Sequence, residues 1–496
     1  MKSSDIFDAI GNADDRFIKE AKEQKSSFHR KMRMLAIPAV AALLAVTLAF
    51  GFIFSKPFWE DNEKKPSTTY IFPTYTPKTE FSEEIFNTLS LASPTMPTRI
   101  QYKEDSIIEW NKEMSAIIKA YAEAGVDLAE FMERALPVLL GNNEGESIVC
   151  SPINIYIAFA MLAEVTVDNT QKEILDVLGV DSIDTLRRQI STIWQATFRD
   201  DGKTKALLAN SIWLSDEEEY KQETILRLAE LYFVSTFSGK VGSEEYNAAL
   251  REWLNYNTGG LLSDKIEGVK LEEETVLAIA STILLQVGWN SEFSQEKNTE
   301  GIFRGTKSNS TCTFMNQSFR DIYYQCKKFT AVKKQLQDGG NMTFILPDKD
   351  TSPEALLKSN AFIDFIMEEE YKSIMTAEIS LSVPKFDVSS DIDLAKKMEE
   401  LGIDEIFDVN KADFDLLSER SEKKDFLYLG KASHAARVRI DEQGCIGTAY
   451  TLLKTFGATG AVSPPPKIDF ILDRPFIFVI TNAAGIPLFV GIVNQL

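Results

Sequence analysis

Histidine is almost missing from this 496-residue chain: His29 and His434 are the whole complement. A hydrolase of the Ser-His-Asp or Cys-His type would have to use His434, because His29 lies in a polar N-terminal tail. No GxSxG surrounds a serine, and neither HExxH nor GxxxxGK(S/T) occurs, which removes most hydrolase and nucleotide-binding chemistries. Aspartic and Ser-Lys mechanisms survive this test. Cysteine is scarce as well. Cys150, Cys312, Cys326 and Cys445 form no CxxC pair, and histidine is too rare to complete a zinc site. They read as small apolar residues with free thiols, and neither a metal nor a cofactor is expected. Positive charge is lacking: 53 Lys and Arg stand against 74 Asp and Glu, a net charge of -21. Phosphate or sulfate polyanions would be repelled, so the net charge argues against nucleic acid and heparin as partners.

What the chain does have is ordered in blocks. Residues 1–34 form a polar tail that ends in Lys25, His29, Arg30, Lys31 and Arg33. Residues 35–54 are 20 uncharged residues, LAIPAVAALLAVTLAFGFIF, which as a helix would span about 30 Å, one hydrocarbon thickness. The rival reading is a cleavable signal peptide, but its apolar core would be shorter and its leading tail would be brief. A retained single-pass anchor is therefore expected, with the tail in the cytoplasm and the rest of the chain outside the cell. This leader resembles that of membrane-tethered proteins of Gram-positive bacteria. Residues 55–104 are rich in Pro, Thr and Ser and read as an extended stalk. A flexible chain of that length would span about 40 Å.

Residues 105–496 read as one continuous α+β domain. Asp127 to Leu140 carries an amphipathic helical pattern. Pro152 to Val165 is an apolar helix opened by the Ser151-Pro152 pair, and Asn169 to Leu178 is a helix stopped by Gly179. Strands are expected at 206–214, 278–287, 342–346, 379–383, 435–440, 470–471 and 475–481.

Several segments then fall in a meaningful order. They begin with SPINIYIAFAMLAEVTVDNTQKEIL at Ser151–Leu175, ANSIWL at Ala209–Leu214 and LLQVGW at Leu284–Trp289. They continue with NMTFILP at Asn341–Pro347, LSVPKFDV at Leu381–Val388 and DLAKKMEELGIDEIFD at Asp393–Asp408. HAARVRIDEQG at His434–Gly444 and DRPFIFVI at Asp473–Ile480 close the series. Together they resemble the serpins, a family of protease inhibitors. The resemblance implies a serpin fold with three β-sheets, about nine helices and an exposed reactive-centre loop. It implies an inhibitor rather than an enzyme, without catalytic residues of its own, and an expected monomer. Its partners would be serine proteases, trapped when the cleaved loop inserts as a strand.

In family register Glu442, Gly444, Cys445, Gly447 and Ala449 form the hinge. On insertion Cys445, Gly447, Ala449, Thr451 and Leu453 would face the core. All but the last are small and none is charged, so burial is not opposed. Cys445, Gly447 and Tyr450 depart from the family pattern. Cys445 is expected to be an exposed thiol before insertion and a buried one after it, open to control by oxidation. Ser151, Asn154, Ser281 and His434 match the shutter beneath the opening strands, with serine and asparagine exchanged between positions 154 and 281. Trp289 matches the breach tryptophan. Counting from the hinge puts the reactive bond at Ala458-Thr459. Counting back from Pro475 puts it about six residues later, so Phe456, Ala461 and Val462 stay open as alternatives. The window FGATGAV lacks Arg and Lys and suits elastase-like or subtilisin-like proteases. A non-inhibitory serpin that acts as a binding protein is the alternative.

Overall fold

The computed structural model describes residues 83–273, 275–367, 374–418, 428–429, 432–445 and 465–496. The tail, the 35–54 span and most of the expected stalk lie outside them. So do the loop positions Gly447, Ala449, Phe456, Ala458, Thr459, Ala461 and Val462. Among the described residues no helix is long and apolar enough to cross a membrane.

The strands in the first half of the chain are β1 (Ser90–Ala92), β2 (Ile148–Cys150), β3 (Arg199–Asp200), β4 (Lys205–Ser215), β5 (Val234–Gly239) and β6 (Leu277–Gly288). They are followed by β7 (Thr299–Arg304), β8 (Asn309–Cys326), β9 (Phe329–Gln335), β10 (Asn341–Pro347), β11 (Ile374–Pro384) and β12 (Asp387–Asp393). The last are β13 (Ser433–Arg439), β14 (Gly444–Cys445), β15 (Lys467–Ile471), β16 (Phe476–Thr481) and β17 (Pro487–Val493). They make three sheets among the described residues. One has six strands, with the path β1-β5-β4-β6-β14; one has nine, with the path β15-β11-β8-β9-β10-β16-β17-β2; and β12 pairs with β13 alone. β16 and β17 are buried at every position, which is why they read as unbroken apolar runs rather than as alternation.

Twelve α-helices occur among the described residues, more than the nine or so that the resemblance implies. The surplus includes two single turns, Ser263–Ile266 and Pro353–Leu356, and two helices ahead of the matching motifs, α1 (Glu83–Leu89) and α2 (Ile107–Ala124). Three others matter below: α3 (Ala129–Leu140), α4 (Pro152–Val165) and α5 (Ile183–Thr197). Helix α4 is buried along its whole length, as expected for a helix apolar on every face. Its one acid, Glu164, is fully buried and bonded by Arg187, Arg227 and Tyr232.

The stalk expectation needs correction at its C-terminal end. Helix α1 and strand β1 fall within 55–104, and β1 pairs antiparallel with β5 at the edge of the six-stranded sheet. Phe86 of α1 packs edge-on against Phe237 at 5.6 Å. The chain then runs extended past Pro94 and Pro97 to Arg99, which donates to the carbonyls of Gln195 and Phe198 at the end of α5. Proline marked an extended path here, but not a detached one. The folded domain therefore begins before residue 105. Arg99→Ala removes a cation from a helix C-terminus and leaves buried carbonyls unpaired. It is expected to cost about 2 kcal/mol in urea unfolding; an unchanged midpoint would show that this segment merely lies on the surface.

Candidate functional site

Two strands face each other across a slot. β6 borders the six-stranded sheet, β13 belongs to the two-stranded one, and no ladder joins them among the described residues. One end of the slot is already occupied. Gly444 and Cys445 of β14 pair antiparallel with Gly288 and Val287 of β6, and Cys445 also bridges to Ile440 just beyond β13. A chain continuing along that line would lie antiparallel to both neighbours. Gly444 is required by the close approach. A Cβ added there would stand 2.4 Å from the Val287 carbonyl oxygen and 2.6 Å from Gly288 Cα, contacts only glycine avoids.

The turn that delivers the hinge is held from several sides. Asp441 Oδ1 accepts from the backbone N–H groups of Gln443 at 2.9 Å and Gly444 at 3.3 Å. The N–H of Trp289 donates to the Gln443 carbonyl at 2.9 Å, and that of Phe293 to the Glu442 carbonyl at 3.0 Å. Trp289 is fully buried, and its indole N–H donates to the Asp441 carbonyl at 2.9 Å. Glu442 is buried beneath the turn, where its carboxylate meets Lys385 Nζ at 2.6 Å and the Asn298 amide. Burial pushes that carboxyl up, but the Lys385 and Asn298 hydrogen bonds outweigh it and hold it below the ordinary glutamate value.

Cys445 corrects an expectation. It is 3% exposed, with its sulfur 3.8 Å from the Met342 sulfur, and burial pushes its thiol well above the ordinary value. The first hinge residues have already joined β6, so the thiol is inside the molecule rather than displayed on a loop. A buried, protonated thiol is a poor target for oxidation, and redox control at this position loses its premise.

Beneath the slot the four shutter positions come together. Ser151 caps α4, and its hydroxyl accepts from the Asn154 N–H at 3.4 Å. His434 on β13 accepts the Ser151 N–H on Nε2 at 3.0 Å. Burial lowers the His434 imidazole to about 4, so the ring is neutral at physiological pH and can serve as that acceptor. Ser281 on β6 lies 2.9 Å from Asn154 Oδ1 and 2.8 Å from Asn210 Oδ1. The Asn210 amide nitrogen is committed to the Tyr232 carbonyl. Its oxygen therefore takes the Ser281 proton, and Asn154 serves Ser281 from the other side. A cavity of about 30 Å³ adjoins these groups, lined by Asn154 and Phe159 of α4, Ile279 and Ser281 of β6, and His434 of β13.

Three partners of these residues were missed in the sequence. Asn210 lies inside the motif ANSIWL, and a lone amide in an apolar strand was the signal. Lys385 lies inside LSVPKFDV, where nothing local tied it to Glu442. Asn298 gave no signal.

The family model for serpins (serine protease inhibitors) matches residues 128–496, and the chain belongs to that family. Alpha-1-antitrypsin 1-4 of Mus musculus is 26% identical over 380 residues, covering 74% of this chain and 88% of its own. Antithrombin-III of Homo sapiens is 23% identical over 349 residues, covering 68% of this chain and 74% of its own. Among solved structures, the thermophilic serpin tengpin in its native state superposes with a TM-score of 0.66 at 22% identity, over 82% of this chain and 99% of that one. The family is one of inhibitors rather than of enzymes, and the serpin fold accounts for the mixed α and β content and the three sheets.

Proposed function

We propose that this chain inhibits serine proteases of elastase-like or subtilisin-like preference by a suicide-substrate mechanism. The protease serine oxygen attacks the carbonyl carbon of Ala458. An ester forms, the Ala458–Thr459 amide bond breaks, and the proton passes to the new amine of Thr459. The freed loop then enters the slot as a strand between β6 and β13, carrying the acylated protease with it. About a dozen new backbone hydrogen bonds at roughly 1 kcal/mol each would drive this step, an amount comparable to the stability of a whole domain. The observation that carries this reading is Cys445, paired with Val287 on one side and Ile440 on the other: the first rung of such a strand is in place, and no ladder joins β6 to β13 among the described residues.

In the same reading residues 35–54 anchor the chain in a bacterial cell membrane, the remaining stalk spaces the domain from the surface, and the inhibitor acts outside the cell as a monomer. Incubating the full chain with pancreatic elastase is expected to give an SDS-stable complex, together with a released fragment whose first residue is Thr459. A cut outside Phe456–Val462 would overturn the assignment of the bond. Cleavage or binding without any stable complex would favour the non-inhibitory alternative.

A further inference from the structure

The slot is bridged on its outer face as well as on its inner one. On the inner face α4 spans it, with Asn154 against Ser281 of β6 and Ser151 against His434 of β13. The outer face carries α6 (Glu244–Asn257). This helix is seated on the β6 side. The Tyr246 hydroxyl donates to the Leu214 carbonyl of β4 at 2.9 Å, and its ring meets Trp213 edge-on at 5.3 Å. The residues after the helix then cross towards β13. A Cβ added to Gly259 would stand 3.3 Å from a Leu284 methyl of β6, so the chain lies against that strand there. Two residues on, the Leu261 carbonyl accepts from Arg437 Nη1 at 3.0 Å.

Arg437 belongs to β13. His434, Ala436 and Val438 of that strand are buried on the inner face, which leaves Arg437 on the outer one. Its fork is shared. Nε and Nη2 donate to the two Asp387 carboxylate oxygens at 2.8 and 2.7 Å. Asp387 is on β12, the ladder partner of β13, so that pair does not cross the slot. Nη1 reaches the other way, to Leu261. Asp264, in the single turn Ser263–Ile266, attracts the same guanidinium from the Leu261 side.

Register puts this clasp in the path of the loop. Cys445 pairs with Val287 of β6 and bridges to Ile440. Extended by three residues in the same antiparallel sense, both alignments bring an entering strand level with Leu284 on one side and Arg437 on the other. Cys445 faces inward, towards Met342, so the position three residues on faces outward. Its side chain has to enter the space beneath residues 259–261. We propose that Arg437 is a positioning residue of strand entry, whose bond to the Leu261 carbonyl clasps the outer face of the slot and must release before the loop passes that level. This deepens the inhibitory reading and rests on its insertion step.

The test follows heat-driven conversion of the free, full-length protein to the loop-inserted form, by native gel and by resistance to urea. Arg437→Met is expected to convert roughly fivefold faster than wild type, the effect of losing one charge-assisted hydrogen bond. Arg437→Ala repeats the comparison without the long apolar stem. Asp387→Asn removes the ion pair but leaves Nη1 on Leu261, and should convert within about twofold of wild type. Asp387→Asn combined with Arg437→Met, which leaves no carboxylate unpaired, should convert as fast as Arg437→Met alone. A merely structural ion pair would instead make the two single variants alike. Equal acceleration in Asp387→Asn and Arg437→Met would overturn the proposal. So would wild-type rates in both Arg437 variants, or a double variant that returns to the wild-type rate. Because no protease is present, these rates stand apart from the elastase experiment, whose failure would sink the inhibitory reading alone.

Discussion

Replacing Gly444 by valine is expected to turn this inhibitor into a substrate. The new side chain would meet the Val287 carbonyl and the Gly288 backbone, the two β6 residues that pair with Cys445 and Gly444. Neither can rotate aside as a side chain would, so the clash costs about 3 kcal/mol in the pairing that already seats the hinge on β6, and strand entry must start from a displaced hinge. A delay there leaves the acyl-enzyme ester open to water, and the protease is released active. The number of inhibitor molecules consumed per protease captured should rise on the order of tenfold. Gly444→Ala should show a rise nearly as large, because its methyl group is the atom that meets the Val287 carbonyl and the Gly288 backbone. A stoichiometry unchanged in both variants would mean that the contact with β6 is not on the path to trapping.

The second large effect concerns acid. The His434 ring is held at about 4, against 6.5 for an ordinary histidine, by its burial. Between these values the unfolded chain binds a proton that the native form refuses, so stability falls as pH drops through that window. The full loss is on the order of 3 kcal/mol. Geometry gives the same sign. A protonated Nε2 becomes a donor facing the Ser151 N–H, itself a donor, and the 3.0 Å bond is lost. Spontaneous conversion on mild heating should therefore quicken at about pH 5. His434→Asn, which cannot titrate, should flatten that response. His434→Ala leaves the Ser151 N–H unpaired and should convert roughly tenfold faster even at neutral pH. Identical acid profiles for wild type and His434→Asn would assign the effect to other groups.

Much of this site could be read before any coordinates, for reasons that differ by residue. Helix α4 begins and ends where its cap and apolar run place it, because Ser151 and Pro152 are local signals. The Ser281–Asn154 contact followed from the exchange of residue types, since hydrogen-bonding partners can trade places without losing a donor or an acceptor. The Cys445 burial was not legible. How far a hinge has entered its slot is a balance between two nearly equal pairings, and no local pattern reports it. The packed end of the stalk was lost to composition, because proline records the path of the backbone but not what lies beside it.

The short ladder between β1 and β5 has a mechanical meaning. Tension carried along the chain toward the domain reaches α1 and β1 before it reaches the buried Arg99 anchor. β1 is three residues long and, among the described residues, paired on one side only. It is the link that yields first, a fuse ahead of the core. A pulled domain would shed that edge strand and then come to rest on Arg99, with the slot between β6 and β13 spared the load.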